Sequence, residues 1–462
     1  MSTVEEVGAW IEAELPGMLE EAQIPAASVA LLADGHIVSR SAGLLNTATG
    51  VEATDDSVFQ IGSITKVFTA TLVMQLVDEG LVDLDRPLRQ YVPDFTIADE
   101  AARDSLTVRQ LLSHTAGFEG DYFDDTGMGD DCVEKFVPVL AKAPQLFQPG
   151  ERFSYNNAGF IMLGRLVEVL RDAPYNTVLR ERIAEPLGMP HFATDAYEAI
   201  RFRAAIGHVP GPDADFVPAP TWNLARSNSP AGSMLSMTAG DLLTFAVMHL
   251  DGGVAKDGTR VLSEESATAM QQPQVHLPDL GLLGTDWGLG WEYNSWDGGP
   301  VIGHDGNTVG QASFLRIVPG KNIAVAMLTN GGNPFTLYDA IMPRVLHELA
   351  DVTVPPNPAP TDAAGPAPAA HRIEGTYSSS VSDSTVTVDE QGRIWLEQVM
   401  KGIFADMAPD PEPVELLPWR ADTLVPRTPT MGMYMPHAFV GDDGEGRALY
   451  LHTGRADRRV SA

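Results

Sequence analysis

A single cysteine, Cys132, stands in the 462 residues, so the chain can form no internal disulfide, no cysteine-based zinc cluster and no iron–sulfur site. Its thiol is read as partly buried or at the surface. Cations are scarce too. Thirty Lys and Arg stand against 62 Asp and Glu, a formal charge of −32, which excludes a nucleic-acid binder relying on overall charge. The first cation is Arg40, whereas a secretory leader opens on a basic stretch followed by an apolar run, so a cytoplasmic location is expected. Long apolar runs are also missing. The longest uncharged helical stretch, residues 67–77, falls far short of the roughly 20 residues that span a bilayer. No membrane and no nucleic-acid partner is expected. What remains is an ordinary globular composition, 44% hydrophobic and 20% charged, able to build a large core. At about 150 residues per domain the length suggests three domains, but enzyme domains often run larger, and two are expected.

Thr3 and Glu6 have capping-box spacing, and Val7, Trp10, Ile11, Leu15, Met18 and Leu19 follow at helical intervals, which predicts an opening helix kinked or ended near Pro16. Residues 28–32 and 37–41 are β-prone runs about Asp34-Gly35, a hairpin signal. Residues 63–77 read as a helix apolar nearly all round, hence buried, closed at Gly80. A second hairpin, residues 311–318 and 322–330 about Pro319-Gly320, precedes an amphipathic helix over 338–349, and the terminal strands and helices are expected to share one sheet. Six prolines between 355 and 368 read as an extended spacer. This divides the chain into a catalytic domain (1–354), a linker (355–370) and a small β-rich domain (371–462), with strands near 384–388, 394–398 and 448–452.

Ser63-Ile64-Thr65-Lys66 puts a hydroxyl at a helix start and an amine three residues on, projecting from one face. Alone the spacing is weak and also fits a simple N-cap serine. However, Lys66 is the only charged residue between Ser57 and Val77, and a buried ammonium must be paired or neutralised. Desolvation would make a neutral amine able to take the serine proton. Tyr155-Asn156-Asn157 enters another apolar helix, and His304-Asp305-Gly306-Asn307 precedes the second hairpin. Singly, the tyrosine fits a packed side chain equally well, and a lone histidine is more often structural.

Taken together, in this order, the three motifs resemble those of the serine β-lactamase and penicillin-binding-protein superfamily, in its class C-like branch of esterases, D-aminopeptidases and peptide cyclases. Ser63-x-x-Lys66 matches the first motif, Tyr155-x-Asn157 the second, and His304-Asp305-Gly306 stands where many members have Lys-Thr-Gly. The runs 80–85, 112–117, 185–189 and 230–232 add support, and the likeness covers about residues 5–350. It implies an α/β (α+β) fold, an antiparallel sheet flanked by helices with a helical subdomain, then a lipocalin-like all-β domain. It implies Ser63 as nucleophile, Lys66 and Tyr155 sharing its proton, Asn157 orienting the lysine and the substrate amide, and His304 bonded to Tyr155 or substrate. It places the backbone N–H groups of Ser63 and Asn307 in an oxyanion hole and Asp305 and Gly306 at substrate. Losing the lysine of the third motif argues against an efficient penicillinase. No cofactor and no metal is implied.

Within the branch the chain is most similar to the penicillin-binding-protein-type thioesterases, stand-alone cyclases that take a nonribosomal peptide from a carrier-protein thioester and close it head to tail, generally from a D-configured donor. A peptidyl-carrier-bound or small thioester substrate is therefore expected. The alternatives are a cytosolic D-aminopeptidase, amidase or esterase, and a receptor or scaffold without turnover. Arg447, Arg455, Arg458 and Arg459 could form a basic patch for a carrier, or bind a substrate carboxylate, with Arg447 the chosen candidate. The acidic run 119–131 lacks EF-hand spacing and reads as a solvated, substrate-facing lid. His114 reads as structural.

Overall fold

The computed structural model describes residues 2–212, 215–361, 365–402, 405, 412–430 and 432–461. Thr3 caps the first helix, α1 (Val4–Ala22), in a full capping box with Glu6. The helix does not stop at Pro16. Val7, Ile11, Leu15 and Leu19 on both sides of the proline are buried against the sheet, and this continuous apolar face outweighs the one backbone bond the proline removes. The first hairpin pairs β1 (Ala26–Ala33) with β2 (His36–Asn46), Ala33 opposite His36, across Asp34 (φ 51°) and Gly35 (φ 74°). A short strand β3 (Val51–Glu52) follows.

Gly62–Ile64 forms a 3₁₀ turn that runs into α2 (Thr65–Asp78), enclosed on all sides over most of its length, with Gly80 (φ 70°) ending it as its sequence requires. A second buried helix, α3 (Asn157–Arg171), is capped by Asn156 and packs on α2. The remaining sheet strands are β4 (Val275–His276), β5 (Asp286–Trp287), β6 (Glu292–Trp296), β7 (Gly299–Thr308), β8 (Gln311–Val318) and β9 (Ile323–Thr329), followed by α4 (Pro334–Ala350). The nine-stranded antiparallel sheet runs β4-β5-β6-β7-β8-β9-β1-β2-β3, so the two chain ends of this unit meet between β9 and β1. One face carries α1 and α4; the other carries α2, α3 and the helical subdomain. The site lies on that second face, at the ends of β7 and α2.

Eight further strands, from Gly375–Ser378 to Ala456–Arg459, close into a barrel, consistent with a lipocalin-like domain. Ile373, Tyr377, Ile394, Leu396, Leu424, Phe439 and Leu451 fill its interior. No helix among the described residues is long and apolar enough to cross a membrane.

Candidate active site

Helical spacing brings Lys66 Nζ to 3.0 Å from Ser63 Oγ. The amine donates to the carbonyl of Ala231 at 2.6 Å, in the Pro230-Ala231-Gly232 run, and its surroundings are otherwise rings: Tyr155 at 4.9 Å and Phe160 at 5.9 Å from their centroids. Burial lowers the amine well below its ordinary value, the nearby Arg455 charge adds to this, and Asp121 opposes it. A neutral amine with one hydrogen given to Ala231 keeps its lone pair for the serine proton. Burial pushes the Tyr155 phenol the other way, above its usual range, and the Ser63 side chain beside it offsets part of that rise. The two shifts run in opposite directions: the amine gives up its proton more readily than usual, and the phenol beside it holds its own more tightly.

Backbone crowding fixes where the nucleophile stands. Gly62 has φ 50° and lies so close to β7 that a Cβ on it would come within 2.5 Å of Asn307 N. The same construction on Gly232 meets Ser63 N at 2.9 Å, and on Gly306 it meets Ser313 Oγ at 2.5 Å. Gly306 thus serves close backbone approach, and the Asn307 amide sits beside the serine turn, as an oxyanion donor must.

Strand alternation separates the third-motif residues. His304 faces the site. Its Nδ1 lies 2.6 Å from the Asp305 carbonyl, which can only accept, so the proton is on Nδ1 and Nε2 carries a bare lone pair. Among the described residues that Nε2 has no partner; no bond to Tyr155 forms, although the rings meet at 6.2 Å. Burial takes the imidazole down to about 3, with Lys66 adding to the effect, so it is neutral. Asp305 turns to the opposite face, where Arg316 Nη1 binds it at 2.6 Å and also approaches Glu292 at 3.8 Å, while Arg316 Nε donates to Tyr338 on α4. Its expected place at substrate is therefore corrected: its carboxylate is spent beneath the sheet.

Asn157 does not reach Lys66 by a hydrogen bond; its Nδ2 donates to Asp121 Oδ1 at 2.7 Å. Asp121, from the acidic run, is also ion-paired with Arg455. The run is pinned by Arg226, Ser227 and Asn228 as well as by this pair. No group of three or more metal-ligating side chains occurs among the described residues.

Arg447 is corrected as well. Its guanidinium is held by Asp443 at 2.6 Å and Glu445 at 2.7 Å in its own turn. The tail arginine that comes to the site is Arg455, between the last two barrel strands, 5.0 Å from the Tyr155 ring centroid, with 40% of its side chain still accessible. Arg459 is tied to Tyr377 and to backbone carbonyls inside the barrel. Arg447 and Arg459 are thus each engaged in their own surroundings, while Arg455 reaches the second motif. His114 is structural, as its sequence suggested: its Nδ1 accepts from Asn156 N at 2.9 Å and its ring stacks on Tyr155 at 4.3 Å. Trp287, edge-on to His114, Tyr155 and His304, had no signal in the sequence. Gly454-Arg455 had one, a glycine turn between two β-prone runs.

A family profile described as Beta-lactamase matches residues 11–347. The chain belongs to the beta-lactamase family. Penicillin-binding protein 4 of Amycolatopsis lactamdurans is 44% identical over 359 residues, covering 77% of this chain and 94% of that protein. Among solved structures, SurE matches with a TM-score of 0.77 and 28% identity over 99% of this chain and 100% of its own, and it has also been solved with D-Leu at a TM-score of 0.76. A D-amino acid amidase of Ochrobactrum anthropi SV3, complexed with D-phenylalanine, shares the fold over 75% of this chain and 99% of its own (TM-score 0.64, 21% identity). The chain thus belongs to the superfamily of serine acyl-enzyme hydrolases and transferases that holds the beta-lactamases and penicillin-binding proteins.

Proposed function

We propose that the chain is a serine acyltransferase that takes a nonribosomal peptide from a carrier-protein thioester onto Ser63 and closes it head to tail, with a D-configured residue as acyl donor. The observation that carries this reading is the barrel turn lodged on the second motif, in a chain whose likeness to SurE runs over 99% of its length. The D-Leu held by SurE supports the donor configuration.

Ser63 Oγ attacks the thioester carbonyl as its proton passes to Lys66 Nζ. The oxyanion rests on the N–H groups of Ser63 and Asn307, each worth about 2.7–4 kcal/mol. Tyr155 protonates the departing thiolate and is reprotonated from Lys66, leaving an acyl-serine ester. The peptide's own amine then attacks that ester, and Tyr155 and Lys66 carry its proton to the released serine oxygen. The bare Nε2 of neutral His304 can accept an N–H from substrate but cannot hold a carboxylate as a lysine would. A barrel that covers the second motif limits water, which favours the amine.

The second reading is hydrolysis through the same acyl-enzyme, as a D-aminopeptidase, amidase or esterase. The first half-reaction is identical, so the product decides. A peptidyl thioester ending in a D-residue is expected to give a macrocycle, and its L-terminated counterpart little of either product. Linear acid as the sole product would establish hydrolysis.

A further inference from the structure

Asn157 opens α3 and shares a helix face with Phe160, whose ring lies 5.9 Å from Lys66 Nζ, which places its Cα on the side of the helix that faces the serine and lysine. Which end of the Asn157 amide meets substrate depends on Asp121. A carboxylate paired with the Arg455 guanidinium has lone pairs and no hydrogen to offer, so the group facing Asp121 Oδ1 at 2.7 Å must be the Asn157 NH₂. No group among the described residues donates to Asn157 Oδ1. Asp121 is itself held from the barrel: Arg455 pairs with it, and the same turn is anchored by Gly454 O accepting from Tyr155 N at 2.9 Å and Ala456 N donating to Ser154 Oγ at 3.1 Å.

We propose that Asp121 is a positioning residue that fixes the polarity of Asn157, leaving its carbonyl oxygen toward the acyl donor. The second motif then offers Asn157 Oδ1 as an acceptor for a donor amide N–H, and the chain selects donors that carry that N–H. This deepens the acyl-serine reading and rests on it.

The test compares three synthetic thioesters of one D-terminated peptide, with the amide nearest the acyl carbon left as N–H, replaced by N-methyl, or replaced by an ester oxygen. The readout is kcat/KM for acylation of Ser63, with the adduct followed by intact mass. For the parent chain, loss of the N–H by either replacement is expected to lower kcat/KM tenfold or more. In Asp121→Ala the Asn157 amide is free to turn and the discrimination shrinks toward unity; in Asp121→Asn, whose carbonyl can still accept from Asn157, it is largely kept. A general structural role would instead lower all three substrates equally in Asp121→Ala. Equal use of the three donors by the parent chain, or discrimination undiminished in Asp121→Ala, would overturn the assignment while Ser63 adducts still form. Absence of any Ser63 adduct would remove the acyl-serine reading and this assignment with it.

Discussion

An amine enclosed by α2, α3 and the Ala231 carbonyl is worth more to the reaction uncharged than charged, and that state has a thermodynamic signature. The folded value of Lys66 lies well below 10.5, so between the two the unfolded chain holds a proton that the native chain does not. Stability must therefore rise with pH across that window. Lys66→Met, similar in length and without the charge, is expected to abolish acylation and to melt higher than the parent at pH 7, with the gap closing as pH approaches 10.5. Thermal unfolding at pH 7 and 9.5 checks this; a gap independent of pH would mean that Lys66 is charged in the native state. The sequence made this residue visible because one charge sat within an apolar helix. It could not show that Asp305 and His304, adjacent in sequence, diverge to opposite faces, since that follows from pairing in β7. Nor could it choose among the tail arginines, because the choice depends on which barrel turn meets Tyr155.

At the scale of elements, the short turn from His452 to Ala456 governs the second motif. Within it His452 Nε2 lies 3.0 Å from Phe153 O, Gly454 O receives Tyr155 N, and Ala456 N reaches Ser154 Oγ, so three consecutive residues before α3 are set by a strand connection some 300 positions away. Gly454 has φ 102°, and a Cβ there would come within 2.7 Å of Leu283 Cδ1. Gly454→Ala is expected to displace Tyr155 and lower kcat/KM roughly tenfold to 10²-fold, the usual result of a small misplacement, while the melting temperature falls modestly from the strain of an alanine at positive φ, the barrel core lying elsewhere. Steady-state kinetics beside a melting curve separates the two effects; unchanged kinetics would show that the turn merely rests on the motif. Hairpins and helices with local signals, such as Asp34-Gly35 and the Thr3 capping box, were legible. The barrel was legible only in part. Strands such as Val414–Arg420 and His437–Val440 lack strict alternation and are defined by closure with distant partners.

For the whole molecule, buried histidines set the response to acid. Burial takes His249 and His304 to about 3, His437 and His452 to about 4, and lowers His114 and His208 as well, all from 6.5. Below 6.5 the unfolded chain binds protons on these rings that the native chain refuses, so stability falls with pH. Two carboxyls oppose this. Glu292, raised to about 8 by burial and by Asp305, and Asp457, raised to about 7 by burial and by Glu119, bind protons in the native chain that the unfolded one has released. Glu168, Asp241 and Asp339 are raised too and oppose the trend most in the ordinary carboxylate range. Between pH 5.5 and 6.5 the six rings prevail, and the melting temperature is expected to climb across that interval; a flat or falling curve would place some of these rings in solvent.

The most direct measurement is intact-mass and peptide-mapping analysis of the chain quenched during turnover of a D-terminated peptidyl thioester. The predicted result is an acyl adduct on Ser63 that disappears as macrocycle accumulates, and no adduct or turnover in Ser63→Ala. Turnover that persists in Ser63→Ala, or an adduct mapped to any other residue, would contradict it.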